Sequence, residues 1–131
     1  MTALLVPNVG EVRLLGWAVN NVAQDDLTLK LYTNDYTPVE ASTNANFTES
    51  VAAGYASVTL TKGSWVITTV AGTTTATYAQ QTFTFTAAGT SCYGYWIEDE
   101  DSTLIWAEKF GGAEPVYDGK ILKVTPRIEL A

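Results

Sequence analysis

Histidine is absent from the 131-residue sequence, which contains only one cysteine and one methionine. Without histidine, the chain cannot assemble the Ser-His-Asp or Cys-His groups of nucleophilic enzymes. The cysteine alone cannot supply the nitrogen and sulfur ligands of an ordinary tetrahedral zinc site. It also cannot form an internal disulfide. Because Cys92 precedes a run of large side chains, we expect it to be a small buried hydrophobic residue.

Charged residues are scarce, at 16% of the sequence, and the net charge is −7. The seven basic residues are scattered along the chain, whereas a nucleic-acid-binding protein needs lysine and arginine along one face. Threonine and small residues take the place of charges. A surface of this kind is weakly hydrated, which is typical of proteins that work inside an assembly.

Long apolar runs and cofactor motifs are missing as well. No run approaches the roughly 18 residues that a transmembrane helix needs. The opening Met1–Pro7 has neither the basic residues nor the long apolar stretch of a secretory signal. The glycines lie singly or in pairs at turns, outside any phosphate-binding or dinucleotide-binding motif. We therefore expect no cofactor, no metal, no catalytic residues, no nucleic acid and no membrane.

The apolar pattern predicts a mainly β protein, a single-domain antiparallel β-sandwich or barrel of about seven strands with one short N-terminal helix. No linker divides residues 1–131, which are expected to form an N-terminal arm or helix (1–21) and an antiparallel β body (27–131). Leucines alternate with outward-facing residues in Leu27–Thr33, as expected of a strand with Tyr32 on the outer face.

Two stretches read as connections. Gly72–Thr75 is predicted to be a flexible turn. The polar segment Asn34–Asn46 is long for a passive loop, and we expect it to cross an end of the fold or to reach outward. In the last strand, Lys120–Leu130, Pro126 indicates an edge position or a bulge.

A helix is predicted over Leu4–Asn21, with Asn8 as its N-cap and Glu11 completing a capping box. Val9, Val12 and Leu15 fall near one stripe at helical spacing. A helix this short needs a surface to lie on. We favour packing on the chain's own sheet, and the alternative is docking on a neighbouring subunit.

The segment Tyr93–Phe110 predicts a hairpin that closes on an acidic turn. A four-residue loop would pair Ile97 with Leu104, and a five-residue loop would place Gly94 opposite Trp106. In both registers apolar side chains occupy both faces, whereas a strand with one wet face should alternate. One face must pack on the core, and the other is covered by another part of the chain or by another chain.

The acidic turn, Glu98–Ser102, is expected to lie in water because carboxylates are costly to bury. Paired carboxylates can hydrolyse glycosidic bonds when one lies in an apolar pocket, and a hairpin tip offers none. The turn also lacks the Asp-x-Asp-x-Asp-Gly spacing of calcium loops, so a solvated turn is favoured over a calcium site.

Two-sided apolar patterning makes association, rather than catalysis, the main functional indication. The aromatic residues can stack on sugar rings, but their strand positions favour core and interface. The candidate interface residues are Leu4, Leu5, Val6, Val9, Val12, Trp17, Tyr95, Trp96, Trp106 and Phe110.

The chain resembles small virion proteins of tailed bacteriophages. Three places carry the resemblance, and together they cover most of the chain. They are the opening Leu4–Glu11, the central Gly54–Leu60 followed by Trp65, and the closing segments Gly94–Ile97, Leu104–Phe110 and Gly119–Leu130. These motifs are hydrophobic and structural rather than catalytic.

The resemblance implies a non-enzymatic component of the phage particle, and we favour a capsid cement or decoration protein. Such a protein would dock on the major capsid protein at the outer capsid surface and stabilise the joints between capsomers. An acidic protein suits that side because packaged DNA would repel it from inside. By analogy it would form a homo-oligomer, in particular a trimer. The alternative is a tail or baseplate component, with a receptor- or glycan-binding role.

Overall fold

The computed structural model of the chain describes residues 4–20 and 23–130, which form a mainly β fold with one helix near the N-terminus. This confirms the predicted fold class. Within these ranges the helix is Asn8–Val19 (α1), and a short 3₁₀ turn spans Asn44–Asn46. The same ranges contain ten strands: Leu4–Leu5 (β1), Leu27–Tyr32 (β2), Val58–Leu60 (β3), Val66–Val70 (β4), Thr73–Thr77 (β5), Gln81–Thr84 (β6), Gly89–Glu98 (β7), Leu104–Val116 (β8), Ile121–Val124 (β9) and Arg127–Leu130 (β10). No helix in the described residues is long and apolar enough to cross a membrane.

The strands pair antiparallel in three sheets. The large sheet has the order β1-β8-β7-β2-β3, a second sheet has the order β10-β5-β4, and β6 pairs with β9. Leu27, Leu29 and Leu31 of β2 are buried in the main core, as their alternation predicted. Tyr32 was predicted to face out, but it is buried because the other face of this sheet is also covered.

Residues 33–50 cover the second face of the large sheet. Phe47 stacks on Trp96 with 5.2 Å between ring centroids, and it lies 4.8 Å from the ring of Tyr32. Tyr36 meets the edge of Phe47. The loop expected to reach outward or to cross an end therefore folds back over the sheet. The second face of the hairpin is covered by another part of the same chain.

Two asparagine side chains fix the path of this covering segment. The Asn34 amide donates to the Asn46 carbonyl and accepts from the Thr48 backbone N–H, both at 2.8 Å. The Asn46 side-chain oxygen accepts from the Thr43 N–H at 2.8 Å. Asparagine favours turns for this reason, since its amide can replace backbone partners. The polar residues that made the segment read as a loop are the ones that hold it in place.

The β7–β8 hairpin adopts neither predicted register. Trp96 lies opposite Ala107 and Ile97 opposite Trp106, but Glu98 lies opposite Leu104. The shift leaves Ile105 as an extra residue in β8, which is a β-bulge. The bulge keeps Trp106 on the main-core side with Ile97, while Trp96 faces the covering segment.

Helix α1 begins later than predicted because Leu4–Leu5 pair with β8 as a short strand. Pro7, rather than Asn8, is the N-cap residue, and it makes no side-chain capping bond. The Asn8 backbone N–H instead donates to the Glu40 carbonyl at 2.9 Å, so the predicted capping box is wrong. The predicted helix end at Asn21 lies outside the described residues.

One face of α1 packs closely on the chain's own large sheet. Gly10 is the point of nearest approach, where an added Cβ would lie 2.8 Å from the carbonyl oxygens of Leu104 and Ile105. Leu14 and Trp17 pack against the main core. The predicted stripe of Val9, Val12 and Leu15 is exposed instead, so the favoured expectation that this stripe packs on the sheet is wrong. A helix can approach the bulged strand this closely only where it carries no side chain.

The stretch Gly72–Thr75 is not a flexible turn. Only Ala71 and Gly72 connect β4 to β5, with φ angles of 51° and 82°. Two central residues with positive φ are the geometry of a type I′ turn, which matches the twist of paired strands. The threonines that follow therefore belong to strand β5.

Gly10→Ala is expected to lower the free energy of unfolding by about 1–3 kcal/mol, the usual cost of overpacking a close contact. Chemical denaturation of the purified variant measures the change. Gly112→Ala is the matched control, because an added Cβ at Gly112 meets no atom within 4 Å. Equal stability of the two variants would contradict the close approach of α1 to β8.

Cys92 is fully buried, as predicted, and burial raises the pKa of its thiol to about 11 from the ordinary 9.0. The folded state therefore keeps a proton that the unfolded state releases above pH 9. This contribution to stability is complete below pH 9 and is lost as the pH rises towards 11. The free energy of unfolding is measured by urea denaturation at pH 8 and at pH 10.5. Over this interval we expect the value for wild type to fall by about 1–2 kcal/mol more than the value for Cys92→Ala. Parallel curves for the two proteins would contradict the raised pKa.

Candidate interaction surface

Four of the predicted interface residues lie inside the chain's own core. Val6, Tyr95 and Trp106 belong to the main core, and Trp96 belongs to the cluster beneath the segment 33–50. Their burial leaves no surface to offer a partner, so their assignment as interface residues is corrected. The second apolar face of the hairpin, which suggested an interface, is covered by residues 33–50 of the same chain.

The other predicted residues divide into three groups. Val9 and Val12 are exposed to solvent on α1. Trp17 and Phe110 are half-buried and pack against the main core. The side chains of Leu4 and Leu5 lie outside the part of the chain that the structure describes.

An exposed apolar stripe runs along the outer face of α1. We call this the helix stripe, and it consists of Val9, Val12, Leu15 and Val19. Val12, Leu15 and Val19 are 72%, 63% and 73% exposed. Because these positions recur every three or four residues, they share one side of the helix, away from Gly10. Aliphatic surface left in water over several turns makes the helix stripe a candidate site of interaction.

An open apolar groove of about 240 Å³ lies between α1 and the sheet β10-β5-β4. Leu14 and Trp17 line its helix side, while Ile67 and Ile128 line its sheet side. The antiparallel registers place Ile67 opposite Ala76, and Ala76 opposite Ile128, so these side chains form one row across the sheet.

Strand β4 is a second exposed apolar element. Its five residues are all exposed, and Val66, Ile67 and Val70 are each more than 60% exposed. The exposure of this stretch was not predicted from the sequence. The sequence feature that could have indicated this surface is the absence of charge, since no residue from Gly63 to Ile97 is acidic or basic.

The acidic turn is not wholly solvated, because Glu98 and Asp99 are buried. Lys30 Nζ lies 2.6 Å from Glu98, and the Trp96 indole N–H donates to the same carboxylate at 2.9 Å. A buried carboxylate needs such partners to offset its lost hydration. The expectation of a turn fully in water is therefore wrong for its first two residues.

Asp99 links the hairpin tip to helix α1. One carboxylate oxygen accepts from the backbone N–H groups of Asp101 and Thr103, at 2.9 and 2.8 Å. The other lies 3.2 Å from Nε of Arg13, whose Nη1 lies 3.4 Å from Asp101. The ion pairs hold the helix, and with it the helix stripe, in a fixed position on the hairpin.

Asp25, Asp99 and Asp101 bring three carboxylates within 4.8 Å of one another, a donor set that suits a hard cation. The guanidinium of Arg13 already contacts two of them. Its positive charge neutralises part of the cluster and would repel a metal ion. The arrangement acts as an ion-pair network that joins α1 to the hairpin.

Lys30→Met is expected to lower the free energy of unfolding by about 1–3 kcal/mol, because it leaves the buried Glu98 carboxylate without its cation. Lys123→Met is the matched control, since Lys123 is exposed and makes no ion pair with the described residues. Thermal or urea denaturation compares the two variants. A Lys30→Met protein as stable as the control would show that the ion pair contributes nothing.

No family model, curated protein or solved structure matches this chain.

Proposed function

We propose that this protein is a non-enzymatic structural component of a tailed-phage particle, a capsid cement or decoration protein on the outer capsid surface. The helix stripe is the observation that carries the proposal. The chain has a filled core of its own, yet it leaves four aliphatic side chains of one helix in water. Burying such surface against a partner is favourable by roughly 25 cal/mol for each Å².

The partner proposed for the helix stripe is the major capsid protein. A stable contact needs roughly 1,000 Å² of total buried surface, so the rim around the stripe must also take part. The mechanism is mechanical. Apolar surface that is buried across a joint between capsomers must return to water when they separate, and this raises the work needed to open the shell against internal pressure.

Charge supports an outward location. The net charge of −7 would be repelled by packaged DNA on the inner side of the shell. The stripe itself is uncharged, but the exposed Glu11 lies one helical turn before Leu15, so a partner that covers the stripe must leave this carboxylate in water or pair it with a cation.

The placement of the aromatic residues favours assembly over sugar binding. A glycan-binding tail module would present exposed aromatic rings for stacking. Among the described residues, Tyr117 is the one aromatic side chain that is mostly exposed, while the tryptophans are buried or half-buried. No cluster of stacking rings is presented to solvent in that part of the chain.

The experiment that tests the proposal is quantitative mass spectrometry of purified particles of the phage that encodes the chain. A cement protein should be present at a simple fraction of the copy number of the major capsid protein. A few copies for each particle would move the protein to the tail, and its absence from the particle would overturn both assignments.

Val12→Asp and Leu15→Asp are expected to weaken binding to shells that lack the protein by on the order of tenfold or more, because each buries a carboxylate in an apolar contact. Co-sedimentation with such shells measures the binding. Val51→Asp is the control, since Val51 is 97% exposed and lies outside the helix stripe. Equal binding by all three variants would exclude the stripe as the docking surface.

A further inference from the structure

The sheet β10-β5-β4 has an open edge along β4. Strand β4 pairs with β5 from Val66 opposite Thr77 to Val70 opposite Thr73, and in the described residues it pairs with no other strand. Alternate backbone N–H and C=O groups along the outer side of β4 therefore have only water as a partner. Such an edge is a template for another strand.

Strand β4 lacks the features that normally protect an edge. Edge strands are usually kept apart by charged residues, proline, bulges or short length. The opposite edge of the same sheet, β10, carries Arg127 and Glu129 and follows Pro126. The edge strand β3 has only three residues. Strand β4 is longer than β3, is uncharged and pairs with β5 without a bulge. Its free edge can therefore accept another strand.

The sequence of β4 is self-complementary about its central residue, Thr68. If two copies pair antiparallel with Thr68 opposite Thr68, then Val66 lies opposite Val70 and Ile67 opposite Thr69. All five residues are β-branched, and cross-strand pairs of this kind stabilise a sheet. Because side chains alternate, the Val66–Val70 pairs and the Thr68 pair share one face.

Charge favours a second copy at this edge over any other part of the surface. Two chains of net charge −7 repel each other wherever their carboxylates approach. The uncharged stretch Gly63–Ile97 contains β4, β5 and the turn between them. Two copies that meet along β4 therefore bring their uncharged hairpins together, while the charged residues of the same sheet, Arg127 and Glu129, lie two strands away on β10.

We infer that β4 is a self-association edge, which pairs with β4 of a second copy about a two-fold axis at Thr68. The two three-stranded sheets then form one sheet of six strands. This inference rests on the proposed function for its biological role. In that role the helix stripe contacts the shell, and β4 joins neighbouring decoration subunits. The two-fold contact differs from the trimer that the resemblance implies.

Thr68→Lys and Thr68→Glu test the contact and its register together. Each substitution places two like charges directly opposite each other at the axis, while Thr68 is exposed in the single chain and tolerates either residue. We expect each variant alone to have a dimer dissociation constant raised by roughly tenfold or more. A mixture of the two variants should regain the dimer, because lysine then faces glutamate.

Light scattering and sedimentation over a concentration series measure the assembly of the purified chain, without shells. Wild type should reach twice the 14.1 kDa of one chain. Thr59→Lys is the control, an exposed threonine on the edge strand β3, and it should dimerise as wild type does. A monomeric or trimeric wild type, or a Thr68→Lys dimer of unchanged affinity, would overturn the proposal. Two variants that stay apart when mixed would overturn the register.

Because no shell is present, failure of this test leaves the shell-binding measurements to decide the proposed function separately.

Discussion

The β7–β8 hairpin carries large apolar side chains on both faces, and the fold must cover both. The main core with α1 covers one face, and residues 33–50 cover the other. The stack of Phe47 on Trp96 is the centre of the second cover. A sheet buried on two sides needs a protein of several layers, which explains why a chain of this size devotes a long irregular segment to packing.

Two buried carboxylates, Glu98 and Asp99, lie at the tip of the hairpin. Lys30, from the neighbouring strand, neutralises Glu98, and Arg13, from the helix, neutralises Asp99. These pairs replace the hydration that the carboxylates lose, so the tip can be closed without exposing the core. The pair of Arg13 with Asp99 also specifies where α1 lies. The orientation of the helix stripe is therefore set by ion pairs on one side of the helix and by the absence of a side chain at Gly10.

Local patterns predicted the elements better than they predicted the contacts between them. The alternation of Leu27, Leu29 and Leu31 and the existence of the hairpin follow from a period of two. The hairpin register did not follow, because the bulge at Ile105 involves α1, which is distant in sequence. The cover by Phe47 was missed because it depends on two asparagine amides rather than on any regular spacing.

The interaction surface was predicted only in part for a similar reason. Helical spacing placed Val9 and Val12 on one stripe that was expected to pack on the chain's own sheet, but both are exposed, and Leu14 and Trp17 make the core contact. The spacing also could not show that most of the candidate aromatic residues find partners within the chain. The exposure of strand β4 was missed because alternation assumes one buried face, and here neither face is buried.

The exposed strand β4 also has a consequence for single copies of the chain. A short, uncharged, β-branched segment at an open edge is the composition from which cross-β aggregates grow. Free copies of this chain are therefore vulnerable in proportion to their concentration and to the time they spend unassembled. Pairing of two copies along β4, as we infer, would cover this edge, so synthesis that keeps pace with pairing would keep the pool of exposed edges small.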